Sequence, residues 1–155
     1  MVMEKEFINY IEALALKELG FDEPCFTYFY HHQEYKILFD NPTQARNYNS
    51  IKVDVGSIFD NDVERVKKGL ESLGDSVSRL TSIPLYQQAF SFFRDKYGLD
   101  GWVVPYLKLN GSKVYSYIIE GAEYDEEEWG INTYEEAELE CLKKLIEIRK
   151  LCLQK

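Results

Sequence analysis

A chain of 155 residues with 45% apolar and 29% charged side chains is long enough to bury one hydrophobic core and too apolar for wholesale disorder. No run approaches the roughly 20 apolar residues of a membrane-spanning helix. The net charge of −9 is local: of the 27 acids, ten lie between Glu120 and Glu140, where there is no Lys or Arg, which leaves 17 acids against 18 bases elsewhere. That distribution argues against direct nucleic-acid binding, because phosphates call for a basic face.

The start, Met1-Val2-Met3-Glu4-Lys5-Glu6, lacks the basic and apolar regions of a signal peptide, and Cys25, Cys141 and Cys152 show no disulfide or metal spacing. These features predict a cytoplasmic protein with reduced thiols and no membrane partner. Residues 4–19 carry Phe7, Ile11 and Leu14 at helical spacing, broadened by Ile8 and Ala15, and predict a first helix that stops at Gly20 with Phe21 folded back on it. After Pro24, the aromatic stretch "CFTYFYHHQEYKILFD" predicts strands near 25–31 and 34–39.

A polar loop begins at Asn41. Val63, Val66, Leu70, Leu73, Val77 and Leu80 then step in a heptad-like pattern, which predicts an inserted amphipathic helix over about 60–80. Its seam, with Val66, Leu70, Leu73 and Val77 as the candidate interface, lies either on the chain's own core or against a second copy in a homodimer. Pro84 is expected in the first turn of the next helix, with Leu85, Ala89, Phe92, Phe93 and Tyr97 on one face and a stop at Gly98-Leu99.

"WVVPYLKL" and "KVYSYIIEG" flank Asn110-Gly111, which predicts a hairpin closed by a type I′ turn. Pro105 marks the 102–109 segment as an edge or bulged strand. The run "EYDEEEWG" reads as a solvated loop before a helix, or as an acidic and aromatic interface of Tyr124, Asp125, Glu126, Glu127, Glu128 and Trp129 for a basic protein. Thr133-Tyr134-Glu135-Glu136 is a capping box, and Ala137, Cys141, Leu145, Ile148 and Cys152 form the buried stripe of a C-terminal helix.

"KELGFDEPCFTY" and "DKYGLDGWVVPY" share the order helix end, Gly, apolar residue, Asp and strand. The expected fold is therefore α+β: two αββ units forming an antiparallel sheet packed with helices, within a single domain over 1–155 that carries an insert at 41–82.

Catalytic chemistry is hard to place. His31 and His32 point to opposite faces of a strand, so they do not form one two-histidine site. Cys25 and His31 lie some 20 Å apart on an extended strand at ~3.3 Å per residue, too far for a nucleophile and its base. There is no phosphate-cradling glycine loop, no GxSxG and no HExxH, so neither a cofactor nor a resident metal is expected and the reading leans away from an enzyme. A second candidate surface comprises Tyr28, Tyr30 and Tyr35 with Arg94 and Trp102, where exposed aromatics would stack on a ligand and Arg94 or Arg46 would meet a phosphate.

Three blocks, "LKELGFDEPCF", "PLYQQAFSFFRDKYGL" and "TYEEAELECLKKLIEI", occur in an order that resembles a group of small uncharacterised proteins of bacteriophages and mobile elements in gut bacteria. The resemblance covers a little over a third of the chain and implies no catalytic residues. It implies a non-enzymatic accessory protein in the host cytoplasm that binds a host or phage protein, with counter-defence or regulation as its setting. A small-ligand binder sequestering a nucleotide signal is the alternative, and an enzyme with dispersed carboxylates is the third reading.

Overall fold

A computed structural model describes residues 5–30, 80–121 and 124–153. The chain divides into two compact units, Met1–Phe21 with Ile83–Lys155, and Asp22–Ser82. The architecture is α+β with antiparallel sheets, as the sequence predicts. Most of the predicted insert, the 34–39 strand and the heptad seam of Val66, Leu70, Leu73 and Val77 lie outside the described residues, as do Tyr35 and Arg46.

In the first unit, helix α1 spans Tyr10–Glu18 and starts six residues later than the apolar spacing suggests. The Asn9 side chain fixes the start by accepting from the backbone N–H groups of Ile11 and Glu12 at 3.1 and 3.3 Å. Ahead of it, Phe7 bridges to Leu85, and the Ile8 N–H donates to the Pro84 carbonyl at 3.2 Å. Phe7 and Ile8 therefore do not set the helix phase. The buried face carries Ala13, Ala15, Leu16 and even Glu12, whereas Ile11, expected inside, is 74% exposed.

The stop at Gly20 and Phe21 is as predicted. Gly20 takes φ 83, the Phe21 N–H donates to the Leu16 carbonyl at 2.9 Å, and the Phe21 side chain is buried.

Helix α2 spans Tyr86–Tyr97, so Pro84 precedes the helix and is not in its first turn. The extended Leu85 is committed to Phe7, and its N–H donates to the Gln88 Oε1 at 3.1 Å, which closes the first turn. Ala89, Phe92 and Phe93 fill the core as expected. Gly98 ends the helix at φ 63, where the Leu99 N–H reaches back to the Phe93 carbonyl at 3.2 Å. Tyr97 donates its hydroxyl to the Leu19 carbonyl at 2.7 Å, joining the ends of α1 and α2.

Strands β3 (Asp100–Leu107), β4 (Lys113–Gly121) and β5 (Tyr124–Ile131) form an antiparallel sheet in that order. Among the described residues β3 is an edge strand, one of the two placements that Pro105 predicts. The β3–β4 turn departs from the predicted type I′ form: Lys108 N–H bonds the Ser112 carbonyl at 2.9 Å and Gly111 N–H bonds the Lys108 carbonyl at 2.8 Å. These bonds enclose a three-residue loop with Gly111 at φ 82.

"YDEEEWGI" is strand β5, where the sequence reading allowed a solvated loop. Helix α3, Tyr134–Leu153, opens where Thr133 Oγ1 accepts the Glu136 N–H at 3.2 Å. It buries Ala137, Cys141, Leu145 and Ile148 as predicted, together with Leu142 and Ile146, while Cys152 is half-buried. α3 packs along β3 and β4, α2 packs on β3 and α3, and α1 packs on α3. One face of the sheet thus carries the helical layer.

The second unit contributes strand β1 (Thr27–Tyr30), which pairs with β2 (Leu80–Ile83, whose last residue belongs to the first unit) in a separate two-stranded sheet. Leu80, read as the end of the heptad seam, instead opens a strand. Among the described residues, the single expected sheet is therefore two. Cys25, Thr27, Tyr28, Thr81 and Ser82 are buried.

Candidate functional site

Alternation along three strands sorts the acidic run. In an antiparallel sheet, directly paired residues share a face and neighbours in one strand point opposite ways. A side chain at Gly101 would meet Cys141 and Leu145 of α3, so Gly101, its partner Ile119 and Glu126 across from Ile119 belong to the helical face. Glu128 lies there too, opposite Tyr117.

Both of these carboxylates have internal partners. Glu126 pairs with Lys144 at 3.1 Å, and Glu128 Oε2 accepts the Tyr117 hydroxyl at 3.0 Å. The hydrogen bond to Glu126 holds the Lys144 ammonium above its ordinary pKa. Burial, and then the bond to Glu128, push the Tyr117 hydroxyl well above its ordinary value.

The opposite face is built in rows across the strands. Asp100, Glu120 and Asp125 form one row, all exposed. Trp102, Ile118 and Glu127 form the next, and Val104, Ser116 and Trp129 the third, with Tyr106 opposite Val114 beyond. Like charges directly opposite one another weaken a sheet, so the first row is a cost that the fold itself does not explain.

Gly130, at φ 87, is the extra residue of a bulge that sets Ile131 against Tyr115 and Trp129 against Ser116. The Tyr106 and Trp129 rings meet edge to face with centroids 4.9 Å apart. Their strands are separated by β4, about 10 Å edge to edge at ~4.8 Å per strand, so the two rings close over the central strand. Val114 and Ser116 are buried on this face, which carries no helix among the described residues. Trp102 and Trp129 nevertheless remain 37% and 57% exposed.

Of the residues expected at the acidic and aromatic interface, Asp125, Glu127 and Trp129 thus stand on the face opposite the helices, and Glu126 and Glu128 are turned to the helices; the Tyr124 side chain lies outside the described residues. Among the described residues, neither Asp125 nor Glu127 has an ion-pair partner. Of the second candidate surface, Arg94 and Trp102 belong to the first unit, Tyr28 and Tyr30 belong to the second, and Tyr35 lies outside the described residues. Tyr28 is 4% exposed, so its ring offers no stacking surface, and the side chain of Tyr30 is undescribed.

Arg94 is engaged by its surroundings: its Nε donates to Asp95 at 3.2 Å, its Nη2 donates to Ser91 at 3.0 Å, and Asp100 stands 4.0 Å away. Through Asp100 it borders the acidic row, two residues from Trp102. Asp100, Glu120, Tyr106 and Ile118 were not singled out from sequence, although their alternation with Trp102 along β3 and β4 carries the signal. Among the described residues no group of three or more His, Cys, Asp or Glu is arranged to hold a metal ion, and no helix is long and apolar enough to cross a membrane.

Compared with known proteins, the chain matches no family profile, no curated protein and no solved structure.

Proposed function

We propose that the chain is a non-enzymatic protein-binding module whose open sheet face receives a basic surface of a partner protein. The observation that carries the reading is the sorting of the acids: Asp125 and Glu127 stand beside Trp129 with no ion-pair partner among the described residues, while Glu126 and Glu128 are occupied internally. Aromatic side chains that keep part of their area in water, bordered by charges of one sign, have the composition of a binding hot spot with a polar rim. Lys and Arg suit this face twice, by pairing with carboxylates and by stacking on Trp.

The resemblance of three sequence blocks to phage and mobile-element proteins supports an accessory role in a host cytoplasm, where the partner is a host or phage protein and the outcome is counter-defence or regulation. Sequestration of a nucleotide signal has weaker support, because Tyr28 is buried and Arg94 is committed to Asp95 and Ser91.

The test is differential capture from a host lysate on immobilised wild type and on the Asp125→Asn/Glu127→Gln variant. Basic proteins that elute with salt from the wild type and are absent from the variant support the reading. An identical captured set on both would refute it.

A further inference from the structure

We propose that β5 accepts a fourth strand from its partner, an extended segment with Lys or Arg at every second position. This inference rests on the protein-binding reading and specifies its geometry. Among the described residues β5 is an edge strand and nothing pairs with its outer side, so its outward N–H and C=O groups are a template for another strand.

The side chains restrict what can use that template. A second copy of β5 would set Asp125 through Glu128 against the same acids, and like charges opposite one another oppose pairing. A neutral strand would leave the carboxylates without counter-charges. A strand with a basic residue at i and i+2 matches the open face, where Asp125 and Glu127 are spaced by two, and Trp129 continues the row as a cation–π anchor. The intervening positions face the side where Lys144 already neutralises Glu126, so a second basic set there would meet like charge. The acids that guard the edge against other copies therefore also select the partner. The Gly130 bulge ends the regular ladder, so the docking segment is short and spans Asp125–Trp129.

The probe is a capped peptide of alternating Lys and Thr, compared with the same composition in which the lysines are contiguous. Two further versions are N-methylated, one at every Lys and one at every Thr, which removes backbone donors from one edge or the other while keeping every charge. Binding is read by tryptophan fluorescence on the full chain. The expected result is that the alternating peptide binds at least tenfold more tightly than the contiguous one. One N-methylated version should lose binding at least tenfold while the other keeps it.

If both N-methylated versions bind like the parent and binding still depends on Asp125 and Glu127, strand addition is overturned and the open-face reading survives. If all peptides bind wild type and the Asp125→Asn/Glu127→Gln variant equally, both fail. A dimer that forms through β5, detected by sedimentation and lost when β5 is substituted, would overturn the choice of partner.

Discussion

Ser116→Ala should make this protein more stable. Ser116 is fully buried in the middle of β4, and its Oγ has no hydrogen-bond partner among the described residues. Val104 and Trp129 flank it across the sheet, and the Tyr106–Trp129 ring pair closes the face beside it. A buried hydroxyl without a partner costs about 1–3 kcal/mol. Alanine removes only the oxygen and leaves a void smaller than a methyl group, while its weaker strand preference returns a few tenths of a kcal/mol on a scale that spans about 1 kcal/mol. The net expectation is a gain of about 1 kcal/mol, read as a rise in urea midpoint at unchanged m-value. Trp129→Ala, which uncovers the hydroxyl to water, should remove most of the difference between Ser and Ala at 116. A loss of 1 kcal/mol or more in Ser116→Ala would show that the hydroxyl is paired in solution and that the ring cover does not isolate it.

Two further expectations concern the helical side. Gly101→Ala puts a methyl group 2.9 Å from both Cys141 Sγ and Leu145 Cδ1, two fully buried side chains, and should cost about 1–3 kcal/mol by overpacking; combining it with Cys141→Ala should recover part of the loss in urea unfolding. The Cys141 thiol is pushed up to about 12 by burial and then by the charge of Glu138. Its contribution is complete below the ordinary thiol value of 9.0 and declines by up to about 1.4 kcal/mol per pH unit as pH rises towards 12, because the unfolded chain ionises first. Stability measured from pH 8 to about 11 should therefore fall less steeply in Cys141→Ala than in wild type, and equal slopes would contradict burial of this thiol.

Local signals in the sequence located the helix ends well. Gly20-Phe21 and Gly98-Leu99 terminate helices because their φ values and the returning N–H groups are local properties, and Thr133 caps α3 for the same reason. The start of α1 was read too early because Phe7 and Ile8 fit the helical spacing, whereas Phe7 pairs with Leu85, far away in the chain, and the local cap is Asn9. Register was the decisive loss for the site. A two-residue turn at Asn110-Gly111 would set Leu109 opposite Ser112 and Asp100 opposite Gly121. The three-residue loop instead sets Asp100 opposite Glu120 and Trp102 opposite Ile118, and a one-residue slip changes every cross-strand neighbour. The acidic run looked like loop because four successive acids have poor strand preference. Its pairing with β4, the Lys144 ion pair and the Tyr117 hydrogen bond outweigh that preference.

The central claim is that alternation along β5 gives the two halves of the acidic run different work, and matched double variants test it directly. Glu126→Gln/Glu128→Gln removes an ion pair to Lys144 and weakens a charge-assisted bond from Tyr117, and should cost about 1 kcal/mol of stability. Asp125→Asn/Glu127→Gln should leave stability unchanged or slightly raised, because it relieves the repulsion between Asp125 and Glu120, and should abolish capture of the basic partner. Equal stability losses in the two variants, or partner capture that follows Glu126 and Glu128, would contradict the account.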